Sequence, residues 1–218
     1  MFNKECVTVL FFVSIIAITG CKKNNQPVSS TTEDIICASL YQKNDSIANA
    51  LNFIEAPQEK LETYISIVQN NGKLVSGDLL KFANKYLSLA TNKNTDMYIS
   101  MLSTKTKEIL DDVKKNGVIH YNLNAIKAGT FVNSKDEHKY LAISSVVSKE
   151  LQNTLRRANF TEMPTHRIIF YYFDRSRDRL LSSTVYLIEE QGSYKIVTEE
   201  MPMDQLESIN LKNTKTDN

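Results

Sequence analysis

The chain has 218 residues, 42% of them hydrophobic and 23% charged, with a formal net charge of +1 at pH 7. So neutral a balance excludes a global field that would gather nucleic acid or hold the chain on anionic lipid. About 200 residues are enough to bury a core without staples.

In chain order, residues 1–20 come first. Lys4 gives a positive start, residues 7–18 form an uncharged block of twelve, and Thr19 and Gly20 lead to Cys21. The block is short of the roughly 20 apolar residues that cross a bilayer. A positive start, a short apolar stretch and small residues instead make a secretory signal peptide. The end of this leader, Ile18-Thr19-Gly20-Cys21, resembles the bacterial lipobox. That resemblance implies a lipoprotein of the bacterial cell envelope whose first mature residue is Cys21, with palmitate-type chains as its membrane anchor. Stable anchoring takes more than one chain, and the resemblance implies three. Lys22, where aspartate would signal inner-membrane retention, points to the outer membrane, with the protein facing the periplasm. Cys6 then leaves with the leader and Cys21 carries lipid. Cys37 stays alone, which leaves no intrachain disulfide, and it reads as a small hydrophobe on a helix face.

Residues 21–33 are mostly polar, with Pro27 and Ser29 to Thr32 in a row, and predict a flexible tether. An α+β domain is expected over 34–203. Its first part, 34–72, reads as a helical hairpin. One helix starts at Glu33 or Asp34 and carries Ile36, Leu40, Ile47, Leu51 and Ile54 in step until Pro57; the second covers 58–69. Ser76 and Asp78 then offer a cap for a helix bearing Leu79, Phe82, Ala83, Tyr86 and Leu87. A break at 92–95 leads to a short helix with Met97, Tyr98 and Met101. Ser103 or Thr104 caps another, which is expected to stop at Gly117.

Residues 118–123 alternate and 125–132 would pair with them, predicting strands. Residues 137–157 read either way. Tyr140, Ile143, Val147, Leu151 and Leu155 keep helical spacing, yet 140–147 alone would pass as a strand; length and a polar face favour helix. Residues 166–173 and 180–189, then a Gln191-Gly192 turn and 194–197, predict a three-stranded antiparallel meander stopped by Pro202. Residues 204–218 read as a flexible tail. The expected architecture is N-terminal helices packed on a C-terminal antiparallel sheet. The segments FANKYLSLATNKNTDMYISMLSTKTKEIL and STVYLIEEQGSYKIV are similar to the opening and closing parts of the nuclear-transport-factor-2-like family. That resemblance covers about residues 78–200 and implies a curled, cone-like sheet with an apolar pocket. Some members are isomerases or dehydratases and many have no activity.

The chain carries no Gly-rich phosphate loop, no nucleophile elbow and no metal-spaced His/Cys cluster. His120, His138 and His166 lie far apart, so neither metal nor cofactor is expected. The basic residues are unevenly divided: all six arginines fall between Arg156 and Arg179, where no lysine occurs. Arginine's planar fork suits carboxylate or phosphate. Arg167, Arg175, Arg177 and Arg179, with Tyr171 and Tyr172, are therefore the candidate surface for an anionic partner. The alternative is internal pairing with Asp174, Asp178, Glu189, Glu190, Glu199 and Glu200. The favoured function is a lipid-anchored, non-enzymatic binding or assembly module, a subunit of an envelope or secretion machine. It would meet the membrane through Cys21 and an envelope protein through the arginines, with no nucleic-acid partner. The alternatives are a small pocket enzyme using Asp96, Tyr98 or His166, and an inhibitor or immunity protein against an envelope toxin or hydrolase.

Overall fold

A computed structural model describes residues 38–40, 46–112, 117–129, 131, 138–157 and 162–204. The leader, Cys21, the tether, Cys37 and the tail beyond Asp204 lie outside the described residues. The elements run β1 (Ala38–Leu40), α1 (Ile47–Phe53), α2 (Leu61–Asn71), β2 (Lys73–Leu74), α3 (Gly77–Asn92), α4 (Thr95–Met101), α5 (Thr104–Glu108), α6 (Gly117–Ala128), β3 (His138–Val146), α7 (Lys149–Arg157), β4 (His166–Asp174), β5 (Arg179–Glu190) and β6 (Ser193–Asp204).

The sheet is open and ordered β1-β3-β4-β5-β6, with β2 beside β3. Strands β2 to β6 pair antiparallel, and β1 pairs parallel with β3. The fold is α+β, with most helices preceding the sheet in the chain. The β5–β6 turn falls at Gln191 and Gly192, both at positive φ (51° and 73°), the twist that a two-residue hairpin needs.

Each face of the sheet carries its own core. On one, Leu51, Tyr64 and Val68 from α1 and α2 join Leu141, Ile143, Ile169, Tyr171 and Leu180. On the other, Phe82, Tyr86, Leu87, Tyr98, Met101, Ile119 and Ile126 from α3, α4 and α6 join Tyr140, Ile168, Phe170, Val185 and Ile196. This double cover explains the reading of residues 137–157. A strand buried on both sides loses its alternation, and the four residues Tyr140 to Ile143 are all buried. The expected helix is in fact β3 followed by α7.

Four further expectations are corrected. The first helix begins at Ile47, where the Ser46 hydroxyl accepts from Asn49 N at 3.2 Å, and residues 38–40 are a strand. Gly117 opens α6 rather than closing a helix, and as far as Ala128 the strands expected at 118–123 and 125–132 give way to that helix, because Ile119, Asn122, Ala125 and Ile126 share one buried stripe. The helix capped by Ser103 ends at Glu108. Pro202 does not stop β6, which runs to Asp204. It lies where the β5–β6 register shifts, between the pairs Thr184/Glu200 and Ser182/Met203, and on an edge strand, where a missing N–H is tolerated.

Candidate functional site

Glu199 sits on β6 between Val197 and the register shift, facing the core under α3, α4 and α6, and is 5% exposed. Three helices each send it one donor. Tyr86 of α3 donates its hydroxyl to Oε2 at 2.8 Å, and Tyr98 of α4 donates to Oε1 at 2.6 Å. Asn122 of α6 donates its amide to Oε2. The two tyrosine rings are themselves gripped. Tyr86 stacks on Phe170 at 5.2 Å and meets Phe131 edge-on at 5.3 Å, and Tyr98 lies 6.1 Å from Phe131. Packing thus fixes where the hydroxyls point, and the carboxyl meets preset partners.

Two opposed effects act on this acid. Burial disfavours its charge, and the bonds from Tyr98, Tyr86 and Asn122 favour it. Burial is the larger effect and lifts the carboxyl from 4.5 to about 7. Burial also pushes the Tyr86 and Tyr98 hydroxyls well above their usual range, helped by the Glu199 charge, so both stay protonated donors. The result is an acid poised near neutrality inside a cage of neutral donors. Oε2 already accepts two bonds and Oε1 only one, so Oε1 has the lone pair that a proton would take.

The residues singled out from the sequence lie elsewhere or serve other ends. Residues 175–178 form the β4–β5 turn, organised by Asp174. Its Oδ1 accepts from Ser176 N at 3.0 Å, Ser176 Oγ at 2.6 Å and Arg177 N at 3.3 Å, and these bonds, that of the Ser176 hydroxyl foremost, hold its carboxyl below the usual range. Arg175 pairs with Glu55, which also takes Lys139 at 2.7 Å, and Asp178 pairs with Lys60. Arg177 Nε reaches Asp174 at 3.6 Å. The pairs of Arg175 and Asp178 tie the turn to the loop after α1 and to the short 3₁₀ turn Gln58–Lys60 before α2. Because the turn interrupts the strand, Arg175, Arg177 and Arg179 do not line one strand face. Arg167 sits within β4, with Nε donating to Ser145 Oγ at 2.8 Å and Nη2 to Asn71 O at 3.5 Å. Tyr171 and Tyr172 are buried, one in each core, so neither ring is presented at the surface. Tyr171 is bonded by the Asn71 amide at 3.0 Å, and its hydroxyl is pushed up to about 12 by burial.

Of the three residues expected to line a pocket, only Tyr98 belongs to the Glu199 cluster. Asp96 is exposed on the first turn of α4, and His166 opens β4 with its ring edge-on to Tyr194 at 5.3 Å. His120 is half-buried, 2.5 Å from Leu110 O; the side chain of His138 is outside the described residues. Among the described residues, no three His, Cys, Asp or Glu side chains gather as a metal site would require. Glu199 itself was legible only as a possible arginine partner. The signal for its true partners was present in the polar tips of Tyr86, Tyr98 and Asn122 on otherwise apolar helix faces. Comparisons with protein-family models, with curated proteins and with solved structures find no match for this chain.

Proposed function

We propose that the chain is exported, lipidated at Cys21, and held at the bacterial outer membrane facing the periplasm as a non-enzymatic binding or assembly module. The carrying observation is the leader that ends in Ile18-Thr19-Gly20-Cys21. The geometry of the buried acid supports the non-enzymatic part: both oxygens of Glu199 are engaged by side chains of the chain's own helices. The docking surface is the β4–β5 turn, where Arg175 and Arg177 are 72% and 70% exposed although each has an acidic neighbour. Its partner is an acidic patch on an envelope protein, which would compete with Glu55 and Asp174 for the guanidinium forks.

The experiment is fractionation of cells producing the wild type or Cys21→Ser. Lipidation predicts a diacylglyceryl cysteine at the mature amino terminus by intact mass, and release of the serine variant from membranes. A serine variant that stays fully with membranes after a high-salt wash refutes the anchor. One observation favours the rival reading, a small pocket enzyme: a desolvated acid near neutral pKa beside tyrosines suits proton transfer. A water-soluble carbodiimide with a small amine, used at pH 5 where the carboxyl is neutral, separates the two. Modification of Glu199 in the native protein supports the enzyme, and protection supports the binding module.

A further inference from the structure

We propose that Glu199 is a pH-sensitive latch, fastening α3, α4 and α6 to β6 when its carboxyl is neutral and loosening them when it ionises. The geometry is that of a single side chain on an edge strand reached by one donor from each of three helices. No other side-chain bond described here joins those three helices at one atom group. Protonation has one natural place. Oε2 is filled by Tyr86 and Asn122, and Asn122 Nδ2 can only donate, so the proton goes to Oε1. Tyr98 donates to one lone pair of Oε1, and the proton takes the other. Ionisation leaves a charge at a site 5% exposed, and burial outweighs the three donors there. Opening the helices to water relieves that charge, so the open form gains as pH rises.

The groups around the latch do not offset it. From α3 and α4 the titratable neighbours are Tyr86 and Tyr98, and Tyr140 of β3 acts on Tyr86; all three hydroxyls lie well above their usual range through burial, so they stay neutral. From α6 the neighbour is the Asn122 amide, which does not titrate. On α5, Lys105, Lys107 and Glu108 are exposed, while the buried Thr106 bonds Val197 O at 3.0 Å. On β5 the cross-strand partner is Val185.

Amide hydrogen exchange of the full chain between pH 5 and 8, corrected for intrinsic rates, tests the idea. Protection in α4 and α6 is expected to fall by up to about tenfold per pH unit below the Glu199 midpoint, while β4 and β5 change little. Glu199→Gln keeps the shape and removes the charge, and its protection is expected to be flat with pH. Tyr98→Phe keeps the packing and removes one donor to the charged form. It is expected to move the midpoint upward, and it reports independently if the glutamine variant does not fold. Wild-type protection in α4 and α6 that does not vary with pH overturns the latch, as does an equal fall in a folded Glu199→Gln or a Tyr98→Phe midpoint that does not rise.

Discussion

Arg167 and Arg175 are both arginines in the same short stretch, yet their surroundings assign them different weights. Arg167 forks between Ser145 on β3 and the Asn71 carbonyl at the end of α2, so it pins a helix end to the sheet from a half-buried position. Lysine can reach one of those acceptors but not both. We expect Arg167→Lys to cost about 1 kcal/mol, read as a lower urea midpoint with an unchanged slope. Arg175→Lys and Arg177→Lys keep their charge at exposed sites, where an ion pair contributes about 0–1 kcal/mol. Their midpoints are expected to stay near the wild type. A larger loss for Arg175→Lys than for Arg167→Lys would contradict this ranking. Residue spacing did expose the arginine cluster, because composition is visible without a fold. It did not separate the fork within β4 from the turn residues, since that depends on where the strand ends and on which helix lies over it.

A second contrast appears between elements. At the junction of α2 and β2, a Cβ on Gly72 would run into the Ser144 carbonyl of β3, a backbone atom that cannot step aside. Gly72→Ala is therefore expected to destabilise by about 1–3 kcal/mol through overpacking, seen as a lower thermal midpoint. Gly77→Ala, where the added atom meets nothing within 4 Å but φ is +56°, is expected to cost less, through backbone strain alone. The meander and the helices α3 and α4 were readable because local patterns and tertiary demands agree there. Residues 166–173 are β-branched and aromatic, and Ser103 does cap the short helix that follows it, while Ser76 stands at the N-cap of α3 without a side-chain bond to it. Strand β3 and helix α6 were not, for opposite reasons. A strand covered by helices on both sides shows no alternation. Ile119, Tyr121 and Leu123, set between His120 and Asn122, imitate alternation, although Ile119, Asn122, Ala125 and Ile126 carry the buried helical stripe.

For the molecule as a whole, Glu199 sets the direction of the pH dependence. Its folded value of about 7 lies above the ordinary 4.5, so the folded state holds its proton more tightly than the unfolded chain does. Stability is then fully present below about pH 4.5, falls as pH rises towards 7, and levels off above, by about 3 kcal/mol in total. Asp174 acts with the opposite sign. Its carboxyl is held low, so its contribution is present above 3.8 and is lost in more acid solution. The expected urea midpoint is therefore higher at pH 5 than at pH 8, and Glu199→Gln is expected to remove most of that difference. Equal wild-type midpoints at the two pH values would show that the carboxyl is not desolvated as the fold places it.

The outer edge of β3 is filled by two short strands that run in opposite directions, β1 on His138 to Tyr140 and β2 on Ile143 and Ser144. Both are made long before their partner, Ala38 about 100 residues ahead of His138. The β5–β6 hairpin, by contrast, closes over two residues. Loop closure favours the short connection, so the hairpin forms early and β1 and β2 are among the last to settle. Until β3 arrives, Leu51, Tyr64 and Val68 have no sheet to cover. Pulse-labelled refolding should accordingly protect the amides of β5 and β6 first and those of α1, α2 and β2 last, which makes the segment from α1 to β2 the one most in need of a holding factor while the chain is still being made.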